Sequence, residues 1–213
     1  MNTEPFLSIF CGPMFAGKTT KLHTQMTEYK YNREGYKVVC INHGDNIRYG
    51  TSNSITHKQQ STGEHIEIHN CITTNKLIDL LPANLDYNVF IIDEGQFYPD
   101  LIEFVNVILS YKKNIVIGGL DYDIERRRFG QVLDLVDAIN NGYYEMSGVD
   151  ANAFILNNQQ CMVCDNQKAI YTIRCDTTNK EQILVGGENE YKSACTECWR
   201  LWKKSINKSA PKH

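Results

Sequence analysis

No long hydrophobic run occurs in this sequence. None of its windows approaches the roughly 18 consecutive apolar residues that a membrane-spanning helix needs. The N-terminal Met-Asn-Thr-Glu-Pro also lacks the basic stretch and the apolar core of a secretory signal. We therefore expect no membrane partner and a cytoplasmic location.

An excess of charge of one sign is missing as well. The 213 residues include 22 Lys and Arg against 25 Asp and Glu, a formal net charge of -3. This balance gives no overall electrostatic reason to expect a nucleic-acid partner. With 42% apolar and 22% charged residues, the composition is typical of a globular protein and excludes disordered, collagen-like and coiled-coil chains.

Apolar runs alternate with helical segments along the first part of the chain. Four short apolar runs predict strands, and the last two have the uninterrupted apolar centres of strands that are covered on both faces of a parallel sheet: Leu7–Cys11, Tyr36–Asn42, Asn88–Asp93 and Asn114–Gly118. The composition and spacing of Lys18–Glu34 and Pro99–Lys112 favour helices, whereas the polar residues 43–65 and 121–131 indicate irregular loops. The pattern predicts an α/β core with a central, mostly parallel sheet flanked by helices.

The composition changes near residue 150. We predict a nucleotide-binding α/β domain over 1–150 and a small β-rich module over 151–200. The basic residues 201–213 are predicted to form a flexible tail.

A glycine-rich motif follows the first apolar run. It matches G-x-x-x-x-G-K-[ST] in full and consists of Gly12, Pro13, Met14, Phe15, Ala16, Gly17, Lys18 and Thr19. In such a loop the backbone N–H groups surround phosphates, the lysine neutralises the outer phosphates and the hydroxyl binds Mg²⁺. The motif predicts a P-loop NTPase-like core that binds a nucleoside triphosphate, and ATP is the expected one.

Two adjacent carboxylates end the third apolar run. Asp93 comes directly after a buried strand, where a carboxylate can hold hydrated Mg²⁺ beside the phosphate loop. Glu94 is then free either to position a water for ATP hydrolysis or to accept the proton of a substrate hydroxyl. The sequence alone leaves both roles open.

Eight cysteines fall into two groups. Cys161, Cys164, Cys195 and Cys198 form two C-x-x-C pairs, which can close a tetrahedral site around a structural Zn²⁺; a redox pair or disulfides are the alternatives. The long segment between the pairs is a candidate lid or binding loop. The remaining four are predicted to be buried, inert thiols: Cys11, Cys40, Cys71 and Cys175.

In combination, these motifs resemble the cellular-type (class II) thymidine kinases. The resemblance rests on the glycine loop, on Asp93–Asp100, on Gly-Gly-x-x-x-Tyr at Gly186–Tyr191 and on the four-cysteine module, and it runs from about Leu7 to Trp199. It implies transfer of the γ-phosphoryl group of ATP to the 5′-hydroxyl of thymidine, which gives dTMP for DNA precursor synthesis by nucleotide salvage. It also implies a homotetramer, feedback inhibition by dTTP and a zinc ribbon that anchors a substrate lasso.

The resemblance also assigns roles to residues. It implies a catalytic group made of Glu94 as the general base, Arg48 and Lys18. The ATP and Mg²⁺ site would comprise the eight residues of the glycine loop together with Asp93 and Gln96. The nucleoside pocket would comprise Met14, Phe97, Leu120, Phe129, Thr172, Val185, Gly186, Gly187 and Tyr191.

Some positions depart from the family pattern. Two residues, Asn46 and Ile47, separate Asp45 from Arg48, where the family usually has one. Ile124 stands where the family has an aromatic residue beside the base, and Arg128 stands in place of a nearby proline. A pocket altered in this way is compatible with deoxyuridine as a second substrate.

Two other classes of protein compete with the kinase. An ATP-dependent nucleic-acid-binding protein with a zinc ribbon would use the run Arg126–Arg128 and the basic C-terminal segment. The aromatic residues that stack on single strands are, however, largely missing from these segments. The third class is a regulatory nucleotide-binding protein without catalysis, which the presence of Glu94 and Arg48 disfavours.

Overall fold

A six-stranded parallel sheet forms the centre of the protein. The computed structural model describes residues 4–32, 35–44, 54–58, 65–176, 186–187 and 189–208. Its strands are β1 (Phe6–Cys11), β2 (Val38–His43), β5 (Ile72–Thr74), β6 (Val89–Ile92), β7 (Asn114–Gly119) and β8 (Asp150–Ile155). Their order in the sheet is β5-β2-β6-β7-β1-β8, and every neighbouring pair runs parallel. The predicted α/β architecture is confirmed.

Helices cover the sheet because its central strands are apolar on both faces. The helices are α1 (Lys18–Asn32), α2 (Leu101–Ser110), α3 (Val132–Asn140) and α4 (Thr196–Lys208). On one face α2 and α3 pack over Ile9, Phe90 and Ile117. On the other face α1 packs over Phe10 and Ile91 through Leu22. Every residue of β6 and β7 is buried, which removes a large apolar area from water and stabilises the fold.

A small antiparallel hairpin lies in the region predicted to be an irregular loop. Its strands are β3 (Ser54–Lys58) and β4 (His65–His69). Ile55 pairs with Ile68, and both side chains are buried in the cluster that contains Leu22. Burial of this isoleucine pair against α1 explains why two strands form in a polar stretch. The prediction of an irregular loop over residues 43–65 is therefore wrong for β3 and for His65, the first residue of β4.

The C-terminal part adds a second two-stranded sheet, in which β9 (Tyr171–Arg174) runs antiparallel to β10 (Tyr191–Ala194). The main sheet extends past residue 150 through β8, while the division of the chain into domains stays a prediction. The segment assigned to a flexible tail is helical as far as Lys208. This helix is held because Trp202 packs on the four-cysteine cluster and its Nε1 donates to Arg174 O at 2.9 Å. No helix in the described residues is long and apolar enough to cross a membrane.

Candidate active site

The glycine loop joins β1 to α1 and lies against the segment that follows β8. Gly12 has φ +150°, and a Cβ there would lie 2.3 Å from the carbonyl oxygen of Leu156, so only glycine fits. Gly17, at φ +83°, also adopts a conformation that side chains disfavour, although a Cβ would meet nothing within 4 Å. The loop conformation therefore depends on both glycines of the motif.

Lys18 is enclosed by the glycine loop. Its Nζ donates to Pro13 O at 2.7 Å and to Gly12 O at 3.2 Å. The side chain is buried, which lowers the pKa of Lys18, while Glu94, Asp121 and Asp93 oppose that shift by their negative charge. The structure thus brings the loop lysine into the electrostatic reach of three carboxylates.

The two carboxylates after β6 have different surroundings. Asp93 is buried, and its Oδ1 accepts a hydrogen bond from Glu94 N at 3.0 Å. Glu94 is half-buried and has φ +53°, a left-handed conformation that is rare for a residue other than glycine. Such strain is tolerated where the surrounding structure fixes it, and it is typical of functional sites.

Gln96 fixes the side chain of Glu94. Its Nε2 donates to Glu94 Oε2 at 2.5 Å, and its Oε1 accepts from Leu120 N at 2.8 Å. Gln96 is 3% exposed. The backbone of Gly130 lies so close that a Cβ there would be 2.2 Å from the carbonyl oxygen of Gln96. The geometry therefore places Gln96 between Glu94 and the pocket residue Leu120, whereas the sequence assigned it to the ATP and Mg²⁺ group.

A third carboxylate, Asp121, was missed by the sequence analysis. It follows β7 and is buried, and its Oδ1 accepts from Tyr122 N at 2.9 Å. Burial raises the pKa of Asp121, and the charge of Lys18 lowers it by less. The signal was available, because Asp121 follows a buried apolar run just as Asp93 does.

Several predicted pocket residues come together beside the glycine loop. Met14, Leu120 and Tyr191 form a buried cluster, and Ile124 and Phe129 pack against it. Phe97 reaches the same group, because its ring meets that of Phe129 edge to face at a centroid distance of 5.5 Å. An apolar and aromatic lining of this kind suits a flat base.

Thr172 and Gln159 contact the backbone of Met14. Met14 N donates to Thr172 Oγ1 at 3.0 Å, and Gln159 Nε2 donates to Met14 O at 2.7 Å. The hydroxyl of Thr172, assigned to the nucleoside pocket, therefore accepts a bond from the phosphate loop. Nothing in the sequence indicated Gln159, which belongs to no motif.

The glycine pair of the predicted lasso lies close to Tyr191. Gly187 N donates to Glu190 Oε2 at 2.7 Å, and Tyr191 N donates to Gly187 O at 2.9 Å. These bonds form a turn that brings Gly186 and Gly187 to the start of β10. Arg48, with Asp45, and also Val185 lie outside the described residues.

The four paired cysteines converge. The Sγ atoms of Cys161, Cys164, Cys195 and Cys198 lie within 4.8 Å of one another, and those of Cys164 and Cys195 are 3.8 Å apart. Tetrahedral Zn²⁺ with bonds of about 2.3 Å to sulfur requires sulfur atoms about 3.8 Å apart. Burial raises the pKa of Cys161, but N–H groups of Cys164, Cys195 and Val163 outweigh it and lower the value to about 6. This cluster can hold a metal ion such as zinc.

The other cysteines divide by exposure. All eight are free thiols, and Cys11, Cys40 and Cys71 are buried as predicted. Cys175 is exposed because it follows β9, so the prediction of burial is wrong for this residue.

The cysteine module also contacts the loop of residues 121–131. Trp199 Nε1 donates to Ile124 O at 3.3 Å, and the guanidinium of Arg126 lies over the rings of Tyr122 and Tyr171 at 3.9 and 4.6 Å. Lys203 forms an ion pair with Glu125 of the same loop. The loop that carries Ile124 is thus attached to the module.

The run of three arginines is engaged within the protein. Besides the stacked Arg126, Arg127 pairs with Asp123 at 2.9 Å. Arg128 pairs with Asp134 at 2.7 Å and also with Asp137. These contacts give the run an intramolecular role and weaken its value as support for a nucleic-acid-binding protein.

Fold and site together define an α/β protein with a G-x-x-x-x-G-K-T loop after its first strand and with a four-cysteine cluster. The family model described as "Thymidine kinase" matches residues 5–199. The thymidine kinases of Variola virus (isolate Human/India/Ind3/1967) and Monkeypox virus are 31% and 30% identical to the chain over 193 residues, 91% of this chain and 96% of each relative. The thymidine kinase of Vaccinia virus (strain Western Reserve) is 28% identical over the same shares. The chain belongs to the thymidine kinase family.

Proposed function

We propose that this protein is a thymidine kinase that transfers the γ-phosphoryl group of ATP to the 5′-hydroxyl of thymidine, giving dTMP and ADP. One observation carries the proposal: Gln96 connects Glu94, which lies in the electrostatic field of Lys18, to Leu120 of the apolar pocket. Phosphoryl transfer depends mainly on positioning and charge neutralisation. In this arrangement Glu94, which can accept a proton, would lie next to the apolar pocket, which can bind a nucleobase.

The donor phosphates are assigned to the glycine loop. Backbone N–H groups of the loop between Gly12 and Gly17, where Pro13 offers none, would surround them. The ammonium of Lys18, which donates to Gly12 O and Pro13 O, would neutralise the outer phosphates. Thr19 and Asp93 would hold Mg²⁺, which neutralises charge on the phosphates when it is bound. The buried Asp93 beside Lys18 supports this assignment.

Glu94 is assigned as the general base. The 5′-oxygen forms a bond to the γ-phosphorus while the bond from that phosphorus to the β,γ-bridging oxygen breaks, and ADP leaves with the electron pair. Glu94 takes the proton of the 5′-hydroxyl. Arg48 would stabilise the charge on the transferred group.

The thymine ring is assigned to the pocket formed by Met14, Phe97, Leu120, Phe129 and Tyr191, with Thr172 beside it. Main-chain groups of Val185, Gly186 and Gly187 would read the edge of the base. Ile124, smaller than an aromatic ring, packs against the same cluster. This substitution supports deoxyuridine as a second substrate.

Further properties are proposed on the basis of family membership. They comprise a structural Zn²⁺ at the four cysteines, feedback inhibition by dTTP, a homotetrameric assembly and a cytoplasmic role in nucleotide salvage. dTTP carries both the thymine ring and a triphosphate, so it offers groups to both halves of the proposed site.

A product assay tests the proposal. Purified protein is incubated with Mg-ATP and, separately, thymidine, deoxyuridine, deoxycytidine or single-stranded DNA, and both ADP and nucleoside monophosphate are measured. We expect equal amounts of dTMP and ADP with thymidine. ADP formation that only DNA stimulates, without dTMP, would instead identify a nucleic-acid-dependent ATPase.

The variant Glu94→Gln tests the assigned base. It keeps the shape of the side chain but cannot accept the proton, so we expect kcat to fall by about 10²–10⁴-fold. Binding of ATP and thymidine, measured by calorimetry, should stay within about threefold of wild type. Near-full activity of this variant would show that another group is the base.

A further inference from the structure

Both backbone polar groups of Met14, its N–H and its carbonyl, form hydrogen bonds to side chains that lie outside the glycine loop. Its N–H donates to Thr172 Oγ1 at 3.0 Å, and its carbonyl accepts from Gln159 Nε2 at 2.7 Å. Thr172 lies on β9, and Gln159 lies shortly before the first cysteine pair. Both bonds have good lengths for their donor and acceptor types.

The position of Met14 makes these two bonds consequential. Its peptide groups belong to the glycine loop, while its side chain is 6% exposed and packs with Leu120 and Tyr191 in the apolar pocket. Within the loop, Ala16 N donates to Pro13 O at a long 3.4 Å. A shift of Met14 would therefore disturb both the loop and the pocket.

Gln159 has a fixed backbone from which to act. Ala169 N donates to Gln159 O at 2.9 Å, and the next residue, Gln160, forms a bridge with Lys168. This short antiparallel pairing ends at Cys161, whose N–H donates to Gln167 O at 2.8 Å. The side-chain amide of Gln159 thus extends from a segment whose backbone is hydrogen-bonded within the cysteine module.

We propose that Gln159 is a positioning residue that acts through Met14 and sets the affinity of the site for both ATP and the nucleoside. This inference rests on the proposed function. Glu94 is held separately, by Gln96 and through it by Leu120. Loss of the Gln159 bond should therefore raise KM for both substrates and change kcat much less.

The test compares Gln159→Leu with Gln167→Leu. Gln167 is an exposed residue of the same module, so it receives the same substitution without loss of a contact to the loop. We expect Gln159→Leu to raise both KM values about three- to tenfold, as the loss of one partly buried hydrogen bond predicts, and to change kcat by less than about twofold. Gln167→Leu should match wild type.

Two outcomes would overturn the inference. Unchanged KM values would do so, and so would a lower thermal midpoint with wild-type KM values, because that result marks a purely structural residue. Where Gln159→Leu gives no soluble protein, Gln159→Asn replaces it, since its arm is one methylene too short to reach Met14 O, and the same rise in KM is expected.

A second measurement separates this inference from the proposed function. Equilibrium binding of a fluorescent ATP analogue does not require turnover, and Gln159→Leu should weaken it about three- to tenfold. Thr172→Val removes the other bond to Met14, and the two substitutions together should be non-additive because they act on one residue. Unchanged analogue binding overturns the role of Gln159 toward ATP, whereas absence of dTMP from the wild-type protein overturns the kinase.

Discussion

Gln96 makes a larger contribution to the site than its place in the sequence suggests. Its amide donates to Glu94 and accepts from Leu120 N, and it is almost wholly buried. A hydrogen bond to a charged group fixes the direction of that group and contributes more than a neutral one. Gln96 therefore orients the proposed base, and its effect should appear in turnover.

The variant Gln96→Leu distinguishes orientation of Glu94 from direct contact with ATP. If Gln96 orients the base, kcat should fall about tenfold or more, because misplacement of a catalytic group weakens its action. KM for ATP should stay within about twofold of wild type. A large rise in KM for ATP with unchanged kcat would instead support the assignment of Gln96 to the ATP and Mg²⁺ site.

Asp121, another single residue of the site, lowers the stability of the folded protein when it is ionised. Because burial raises its pKa in the folded protein, the ionised form costs free energy there, and stability is lost as the pH rises through the raised pKa. Asp121→Asn removes this cost, and we expect the thermal midpoint at pH 7.5 to rise by about 2 °C. The gain should disappear below the ordinary pKa of an aspartate; a gain that persists at low pH would have another origin.

At the scale of elements, the glycine loop depends on contact with the segment after β8. A Cβ at Gly12 would meet Leu156 O at 2.3 Å, whereas a Cβ at Gly17 meets open space and only the positive φ is unfavourable. We expect Gly17→Ala to lower the free energy of unfolding by about 1–3 kcal/mol and Gly12→Ala to lower it by more. Urea unfolding of both variants measures the difference, and equal losses would contradict the role of the Leu156 contact.

Strands β1, β2, β6 and β7 and helices α1 and α2 could be predicted because each presents its own pattern, whereas β5, β8 and α3 were not predicted. Val89–Ile92 and Ile115–Ile117 are buried along their whole length and are apolar at every position. The β3–β4 hairpin escaped prediction because its two strands pair with each other across the chain, with Ile55 opposite Ile68 and both buried against α1. Pairing across the chain is a property that no short window of sequence contains.

The residues of the candidate site also fall into those that a local motif indicates and those whose role depends on contacts with distant parts of the chain. Motif residues such as Lys18 and Asp93 could be singled out from the sequence, since the chemistry of phosphate and Mg²⁺ binding restricts both residue type and position, and their roles stay predictions. Gln159 was not, because its role arises from a bond to Met14, a residue far away in the sequence. The helical part of the C-terminal segment was also missed, since only tertiary contacts of Trp199 and Trp202 reveal it.

At the scale of the whole molecule, the four-cysteine cluster connects β10 and α4 to the site. Removal of the proposed Zn²⁺ with a chelator should lower the thermal midpoint by about 10 °C or more, because binding of a structural metal contributes directly to folding. Cys198→Ser should have a similar effect. Cys175→Ser, a change at an exposed cysteine outside the cluster, should leave the midpoint unchanged, and an equal loss in both variants would contradict a metal role.

The position of β1 in the sheet bears on how the chain folds. Leu7 of β1 pairs with Ile115 of β7 and with Ala151 of β8, both far along the chain. The strand that leads into the glycine loop is therefore synthesised early and acquires its neighbours late, after most of the protein has left the ribosome. Pairing over such long separations slows folding, and until it is complete this apolar strand is exposed to other chains. Ligands that bind only the folded loop would stabilise the folded protein and so lower the fraction of chains in which this strand is exposed.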